Sequence, residues 1–283
     1  MNYTEINLDL QGTAKRIYDN LLYKSSFFKM LNEDYLGELR QTGVPMIEVL
    51  KSNDVAINTR NKREIETALT PSLMGYGSVK VDLTELAMDY SVRIPVLVGG
   101  SDITNTIQSA MDKKDSAVAK QIDTYGFGKL ASNTEIAEST FTATTSDDYV
   151  KLVTELSATL FNNDVYETYR LGLSATEYGK YVAALTSVLH YETMAGVEAV
   201  DRGKVAVAYG VETFQINDNV LGKSGDKDIK GYFFNKVAVV GDTFFDAFVQ
   251  HNSPQGYPGY YIFEGNILFG ANVVEPKAII RLV

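Results

Sequence analysis

Alternating apolar and polar positions are clearest between residues 79 and 98. Apolar residues occupy odd positions over 79–83 and even positions over 86–98. Because side chains of a strand point alternately to its two faces, this change of phase requires a turn, a bulge or a strong twist near Thr84 and Glu85. The pattern therefore predicts two strand segments, the second ending at residues 99–100.

A helical pattern follows these strands. Ser101 or Asp102 is the expected N-cap, and an apolar stripe recurs at helical spacing as far as Tyr125. The helix is predicted to stop near Gly126 or Gly128, which makes it roughly 25 residues and ~37 Å long at 1.5 Å per residue. Its opposite, polar face is predicted to carry Asp112, Lys113, Asp115 and Lys120.

Two more helices and a series of strands complete the pattern. Ser146 opens one helix, and the capping box Ser174-Ala175-Thr176-Glu177 opens the next. A short strand, 169–173, lies between them. Strands are predicted at 204–210, 214–216, 232–240, 244–250, 260–263, 267–269 and 278–283. Helices that interrupt antiparallel-looking strands indicate an α+β fold.

The first third of the chain has less regular patterning. Residues 1–43 are predicted to form an arm with one or two short helices. Residues 52–77 lack apolar periodicity, and a connection of this length inside a domain is usually functional or a linker. This loop is therefore expected to bury area on neighbouring subunits rather than on its own core.

A basic run lies within that loop. Arg60, Lys62 and Arg63 are followed by Glu64 and Glu66. These five residues are the candidate inter-subunit contacts, since several ion pairs repeated at an interface can set its geometry and specificity. A solvated loop and a nucleic-acid contact are the other two interpretations.

Composition excludes several classes of function. The 283 residues include no Cys and two His, which excludes disulfides, thiolate metal sites and Cys nucleophiles and leaves little for a His-based site. A formal net charge of -10 disfavours phosphate and anionic lipid as partners. Neither a signal peptide nor an apolar stretch of ~20 residues is seen, so a soluble protein made in a cytoplasm, without a membrane partner, is expected.

The motifs that could carry chemistry are incomplete. Gly222-Lys223-Ser224 resembles the end of a phosphate-binding loop, but Asn217 stands where that motif needs Gly. Asp226-Lys227-Asp228 resembles part of a calcium loop with a Lys at a ligand position. His190 and His251 lack an evident partner for base catalysis. No catalytic, cofactor-binding or metal-binding residue is assigned, and the protein is expected not to be an enzyme.

The order of these features resembles one known family across nearly the whole chain. The segments that carry the resemblance are Val79–Leu83 with Tyr90–Val96, Ala119–Tyr125, Leu160–Val165 with Tyr169–Ser174, and Thr243–Val249. They are similar, in that order, to the E-loop and its outgoing strand, the end of the spine helix, the A-domain turn and strand, and a late strand. The family is that of major capsid proteins of tailed double-stranded-DNA bacteriophages, with the Hong Kong 97-type fold.

The resemblance implies a domain division and a function. The implied segments are an N-terminal arm at 1–43, an E-loop region at 44–80, a P-domain with the spine helix at 81–133, an A-domain at 134–232 and return strands at 233–283. The implied subunit assembles into pentamers and hexamers of an icosahedral shell that encloses packaged DNA without sequence-specific contact. A separate scaffolding protein, a portal and location in the virion, after assembly in the host cytoplasm, follow from the same resemblance.

Two alternatives remain at this point. A nanocompartment shell protein of the encapsulin kind shares the fold but encloses a cargo enzyme instead of DNA. A small enzyme or ligand-binding module with an unrecognised site would stay monomeric or form a small oligomer. Particle formation and particle content distinguish the three.

Overall fold

The computed structural model describes residues 10–36, 45–52, 76–95, 103–166, 168–186, 205–208, 211–252 and 259–283. The helices in these ranges are α1 (Leu10–Lys24), α2 (Ile103–Ser132), α3 (Ser146–Asn162) and α4 (Ala175–Thr186). The strands are β1 (Met46–Ser52), β2 (Tyr76–Asp82), β3 (Leu86–Pro95), β4 (Ala137–Ser139), β5 (Tyr169–Ser174), β6 (Val205–Ala208), β7 (Val211–Ile216), β8 (Lys223–Ser224), β9 (Lys227–Asp228), β10 (Gly231–Asn235), β11 (Val239–Asn252), β12 (Tyr260–Val273) and β13 (Ile279–Leu282).

A six-stranded mixed sheet forms one part of the molecule. Its strand order is β4-β13-β10-β5-β7-β6, with β4 parallel to β13 and β5 parallel to β7. Helix α4 packs on β5 and β7, and α3 packs on α4. Strand β10 is buried over its whole length, as expected for a central strand covered on both faces.

A three-stranded antiparallel sheet forms a second part, in the order β11-β12-β3. Strands β11 and β12 are 14 residues each and pair along their length, with an irregularity between Asp246 and Val249. Helix α2 packs against β3 and β12. Its C-terminal part contacts the six-stranded sheet, where Phe127 stacks on Tyr232 of β10 and the Leu130 carbonyl accepts from Arg281 of β13. One continuous hydrophobic cluster runs through both sheets.

The N-terminal segment belongs to this core. Helix α1 buries Ala14, Ile17, Tyr18 and Leu21, an apolar stripe at helical spacing, against α2 and β11. Phe27, Phe28, Met30 and Leu31, which follow α1, belong to the same hydrophobic cluster. The expectation of one or two short helices in this region is met by α1 and by short 3₁₀ turns at Phe27–Met30 and Glu33–Tyr35.

Strands β1 and β2 form a separate two-stranded ribbon. They pair antiparallel from Met46 opposite Asp82 to Ser52 opposite Tyr76. A second, smaller cluster joins the ribbon to the three-stranded sheet, and it contains Ile47, Val49, Val81, Leu83, Val240, Phe244 and Val274.

The predicted change of strand phase is confirmed. Strand β2 ends at Asp82, a turn occupies residues 83–85, and β3 begins at Leu86. The two strands belong to different sheets, so each has its own buried face. The phase of the apolar residues changes because the strand changes its partner.

The predicted end of the long helix is wrong. Helix α2 has 30 residues and passes through Gly126 and Gly128 to Ser132. Gly126 is a packing position, since a Cβ added there would lie 2.5 Å from the ring of Phe27. The predicted N-cap, Ser101 or Asp102, lies outside the described residues.

The helix starts were predicted to within one residue. The N-cap of α3 is Thr145 rather than Ser146, and it forms a capping box with Asp148. At α4 only half of the predicted capping box forms: the Ser174 hydroxyl accepts the Glu177 amide at 3.2 Å, whereas the Ser174 amide donates to the Lys230 carbonyl at 2.8 Å. The Glu177 carboxylate pairs with Lys180 at 2.9 Å.

Candidate assembly surfaces

The predicted inter-subunit contacts Arg60, Lys62, Arg63, Glu64 and Glu66 lie outside the described residues, as does His190. The described strands β1 and β2 lead into and out of the segment that contains the first five. The ribbon therefore sets where this segment leaves and re-enters the fold.

The ribbon has one covered and one exposed face. Ile47 and Val49 face the smaller cluster and are buried. On the other face, Leu50 lies opposite Ser78 and is 70% exposed, and Glu48 lies opposite Lys80. Met46, which is 40% exposed, lies on the same face of β1 as Leu50, so this face presents two apolar side chains to solvent.

The turn between the ribbon and β3 is fixed to α2. Glu85 accepts hydrogen bonds from Tyr125 and Lys129, and Lys129 Nζ also donates to the Ala271 carbonyl at 2.8 Å. Partial burial and the neighbouring Glu85 raise the pKa of the Tyr125 hydroxyl. At the same turn Asp82 accepts the Thr84 amide at 2.8 Å, which lowers the pKa of that carboxyl. These bonds hold the ribbon at one angle to the helix.

Asp123 connects α2 to the N-terminal segment. Its Oδ1 accepts from the Ser25 hydroxyl at 2.5 Å and the Phe27 amide at 2.9 Å, and its Oδ2 accepts from the Ser26 amide at 3.2 Å. Burial raises the pKa of this carboxyl, although the three hydrogen bonds act in the opposite direction.

Asp115 makes a second connection, about two turns nearer the N-terminus of α2 than Asp123. It is fully buried and accepts from the Tyr90 hydroxyl at 2.7 Å and from Asn20 Nδ2 at 2.7 Å. Burial raises its pKa, and burial together with Asp115 raises the pKa of Tyr90. The prediction that Asp115 lies on the exposed face of the helix is therefore wrong, because its partners on β3 and α1 draw it inward.

Arg281 binds backbone carbonyls at the C-terminal end of α2. Its guanidinium donates to the Leu130 carbonyl at 2.6 Å, the Asn133 carbonyl at 2.7 Å and Glu138 at 2.9 Å. A cation is favourable at this end of a helix, where carbonyls lack partners. Hydrogen bonds from Ser224 and Arg281 lower the pKa of Glu138. Sequence reasoning missed Arg281, and the available signal was a single charge in the apolar segment 278–283.

The weak chemical motifs have structural roles. Gly222-Lys223-Ser224 leads into the β8–β9 hairpin, where the Ser224 hydroxyl accepts from Arg281 at 2.8 Å. His251 lies 3.1 Å from Glu264 across β11 and β12, and both side chains are exposed. Within the described ranges no group of three metal-ligating side chains occurs. The described helices include none long and apolar enough to span a bilayer.

A groove of about 1020 Å³ separates the N-terminal segment from the six-stranded sheet. Tyr23, which is 79% exposed, lines it together with Phe28 and Phe214. Arg170 lines it too, but its charge is balanced by Glu212 at 3.1 Å and by Glu33. The groove therefore offers a surface for contact with another molecule, and its described lining residues do not form an activated nucleophile or base.

A pair of exposed aromatic rings lies at the end of α3. Phe161 and Tyr166 pack edge to face with centroids 4.9 Å apart and are 57% and 53% exposed. The Tyr166 hydroxyl donates to Asp164 at 2.7 Å. Aromatic residues with one polar end are common in protein interfaces.

Comparisons with known proteins bear on the fold. No protein-family model matches the sequence, and no curated protein matches it. Among solved structures, the capsid of the cyanophage P-SCSP1u is similar with TM-score 0.61 and 14% identity, over 100% of this chain and 91% of that one. A chain of Mycobacterium phage Che8 gives TM-score 0.57 and 12% identity over 100% and 95% of the two chains. The capsid of Ralstonia phage GP4 gives TM-score 0.57 and 10% identity, over 100% of this chain and 94% of that one. The chain therefore has the fold of phage capsid proteins, which confirms the predicted α+β fold class and is consistent with the Hong Kong 97 type.

Proposed function

We propose that the protein is the major capsid protein of a tailed double-stranded-DNA bacteriophage. It assembles with itself into pentamers and hexamers, and these form the icosahedral shell that encloses the packaged genome. The observation that carries this proposal is a capsid fold that extends over 100% of the chain and 91% of the matched cyanophage capsid chain. Its role is structural, and no cofactor is part of it.

The ribbon supports assembly on physical grounds. An isolated two-stranded sheet is at best marginally stable, so the ribbon needs further contacts beyond its base. Its covered face is used by its own chain, whereas Leu50 on the other face remains exposed. A neighbouring subunit is the surface that every copy in a shell would share.

The domain division belongs to the same proposal. The arm is residues 1–43, the E-loop region 44–80, the P-domain 81–133, the A-domain 134–232 and the return strands 233–283. Within the E-loop region, Arg60, Lys62, Arg63, Glu64 and Glu66 form ion pairs between subunits. Such pairs contribute little singly, and their repetition around a ring sets geometry and specificity.

The partners follow from the shell. A separate scaffolding protein directs curvature, and a portal occupies one vertex. Double-stranded DNA is enclosed without sequence-specific contact, in accord with a net charge of -10. The protein resides in the virion after assembly in the host cytoplasm.

Purification and electron microscopy of the expressed protein test this function. We expect closed shells or capsomer rings, with uniform shells requiring a co-expressed helper protein. Limited proteolysis should cleave free subunits within 53–75 and leave assembled shells resistant there. Monomers or small oligomers under all conditions would contradict the proposal and favour a ligand-binding module. Particles that contain a protein cargo and no DNA would favour a nanocompartment.

A further inference from the structure

The solvent-exposed side of helix α2 carries positive charge in a protein whose net charge is -10. Lys113 and Lys120 are exposed, and Lys114 is half-buried. Lys24 of α1 joins them, because its Nζ lies 3.1 Å from the Ser116 hydroxyl. We call these four residues, Lys24, Lys113, Lys114 and Lys120, the lysine face.

Lys24, Lys113 and Lys120 form one continuous surface, and Lys114 flanks it next to Lys113. Ser116 follows Lys113 by three residues and precedes Lys120 by four, and such positions are neighbours on one side of a helix. Lys113 and Lys120 are therefore separated by roughly 10 Å along the helix axis. Lys24 approaches the same place from α1 through Ser116.

Within the described residues, the carboxylates of α2 leave the charges of Lys113, Lys114 and Lys120 unpaired, whereas the charge of Lys24 acts on the buried Asp115. Asp115 and Asp123 are buried and hydrogen-bonded to the N-terminal segment and β3. Asp112 is half-buried and receives Asn20 Nδ2 at 3.4 Å. No ion pair to Lys113, Lys114 or Lys120 forms among the residues that the structure describes. Asp115 and Asp123 of α2 thus lie in the interior, whereas Lys113 and Lys120 of the same helix are exposed.

The chemistry of the surface favours phosphate over a protein partner. A protein interface normally has an apolar or aromatic centre, and α2 contributes no exposed large apolar side chain within its described part. Its exposed positions near the lysines are Ser109, Ser116, Ala117 and Gln121. Lysine with small polar residues is the set that contacts the DNA backbone without reading bases.

We propose that the lysine face contacts the phosphate backbone of the packaged double-stranded DNA and so forms part of the inner wall of the shell. This inference rests on the proposed capsid function. A single subunit would bind weakly, since only a few charges are involved. Repetition of the face over all subunits of a shell makes the contact multivalent.

Lysine reactivity in intact particles tests the contact. DNA-filled particles, the same particles emptied of DNA, and DNA-free precursor shells are treated with a small amine-reactive reagent, and each lysine is quantified by mass spectrometry. We expect Lys113 and Lys120 to react about threefold less in filled particles than in both DNA-free forms, because phosphate shields and orders the ammonium groups. The exposed lysines Lys151, Lys227 and Lys277 should react equally in all three.

A charge-matched pair of variants provides the second readout. Particles with Lys113→Gln, Lys114→Gln and Lys120→Gln are compared with particles that carry Lys151→Gln, Lys227→Gln and Lys277→Gln, both treated with formaldehyde. Protein–DNA crosslinks should fall by about half or more in the first set, which removes phosphate contacts, and stay unchanged in the second.

Three outcomes would overturn the inference. Equal and high reactivity with and without DNA would place the face on the outside. Low reactivity in emptied particles or precursor shells would mean that another protein surface, such as an acidic scaffold segment or a second copy, covers it. Equal crosslinking in both variant sets would assign the DNA contact to other residues. Failure of the unsubstituted protein to form any particle would instead contradict the proposed function.

Discussion

At the scale of single residues, two buried aspartates of α2 hold the N-terminal segment. Removing a carboxylate from water is unfavourable unless donors replace the lost hydration. Asp123 receives one hydroxyl and two amide donors from residues 25–27. These donors are committed to it, so loss of the carboxylate leaves buried polar groups without partners.

Asp123→Ala should therefore destabilise the free subunit substantially. We expect the free energy of unfolding to fall by about 3 kcal/mol, because a charged acceptor is lost and buried donors remain unpaired. Urea denaturation of the free subunit measures the change. Asp19→Ala, an exposed position on α1, is the control and should change stability by less than about 0.5 kcal/mol. Equal effects of the two substitutions would contradict the role given to Asp123.

The raised pKa of Asp115 predicts a definite pH dependence. Its pKa in the folded state lies above its unfolded value, which is near 3.9. The folded state therefore holds the proton more tightly, and the associated stability is complete below the unfolded pKa and lost as the pH rises through the folded pKa. Relative to Asp115→Asn, the wild type should lose stability as the pH rises above the unfolded value of about 3.9.

Asp148 gives the opposite sign and serves as the control. Hydrogen bonds from Thr145 and Thr144 lower the pKa of its carboxyl to about 2. Its stabilising contribution is present above the unfolded pKa and is lost as the pH falls toward the folded one. Thermal denaturation over a pH series should give slopes of opposite sign for Asp115→Asn and Asp148→Asn, each compared with wild type. Slopes of the same sign would show that burial does not raise the pKa of the Asp115 carboxyl.

At the scale of elements, the two glycines of α2 make a matched pair. Alanine is favoured over glycine in a helix by about 1 kcal/mol. Gly128 has no atom within 4 Å of an added Cβ, whereas the Cβ of residue 126 would lie 2.5 Å from the Phe27 ring. Gly128→Ala should raise the free energy of unfolding by about 0.5–1 kcal/mol. Gly126→Ala should lower it by roughly 1–3 kcal/mol, because the clash outweighs the helix propensity.

Chemical denaturation of both variants decides this prediction. If Gly126→Ala were also stabilising, the ring of Phe27 would move aside easily, and the contact between α2 and the N-terminal segment would be loosely packed. If Gly128→Ala were destabilising, that position would contact something outside the described residues.

The elements that could be predicted are those whose cause is local. The turn near Thr84 and Glu85 was found because a phase change is visible along the chain itself. The strands predicted at 260–263 and 267–269 are one strand, β12, because Gly265 is paired within the sheet beside the Phe248 ring rather than ending a strand. Contacts between distant residues decide such positions, and a single sequence does not show them.

The polar side chains of the core escaped prediction for the same reason. Asp115 has the composition and spacing of an exposed helix residue, and only its partners Tyr90 and Asn20 explain its burial. Arg281 donates a hydrogen bond to the end of α2 at Leu130, from which it is separated by 151 residues of sequence. The candidate inter-subunit contacts at 60–66 lie outside the described residues, so their role stays a prediction.

At the scale of the whole molecule, the described residues form two hydrophobic clusters of unequal size. The larger one runs through both main sheets, α2 and the N-terminal segment. The smaller one joins the ribbon to β11 through only a few side chains. Burial on one side of the ribbon fixes its attachment, and its exposed side is left for contact with other molecules.

Leu50→Ser should separate assembly from folding. Leu50 is 70% exposed, so the free subunit should lose less than about 0.5 kcal/mol of stability. If its side chain is buried between subunits, each contact should weaken by about 1.5–3 kcal/mol, or roughly tenfold or more in the dissociation constant. Because every subunit repeats the contact, the concentration needed for shell formation should rise steeply.

Val49→Ser on the covered face of the same strand is the control. Val49 is 7% exposed and belongs to the smaller cluster, so this change should destabilise the subunit itself by about 2 kcal/mol. Urea denaturation of free subunits and light scattering against protein concentration measure the two effects separately. Leu50→Ser should shift only the scattering curve, and Val49→Ser should shift the denaturation midpoint. Assembly of Leu50→Ser at the wild-type concentration would mean that the exposed face of the ribbon is not a subunit interface.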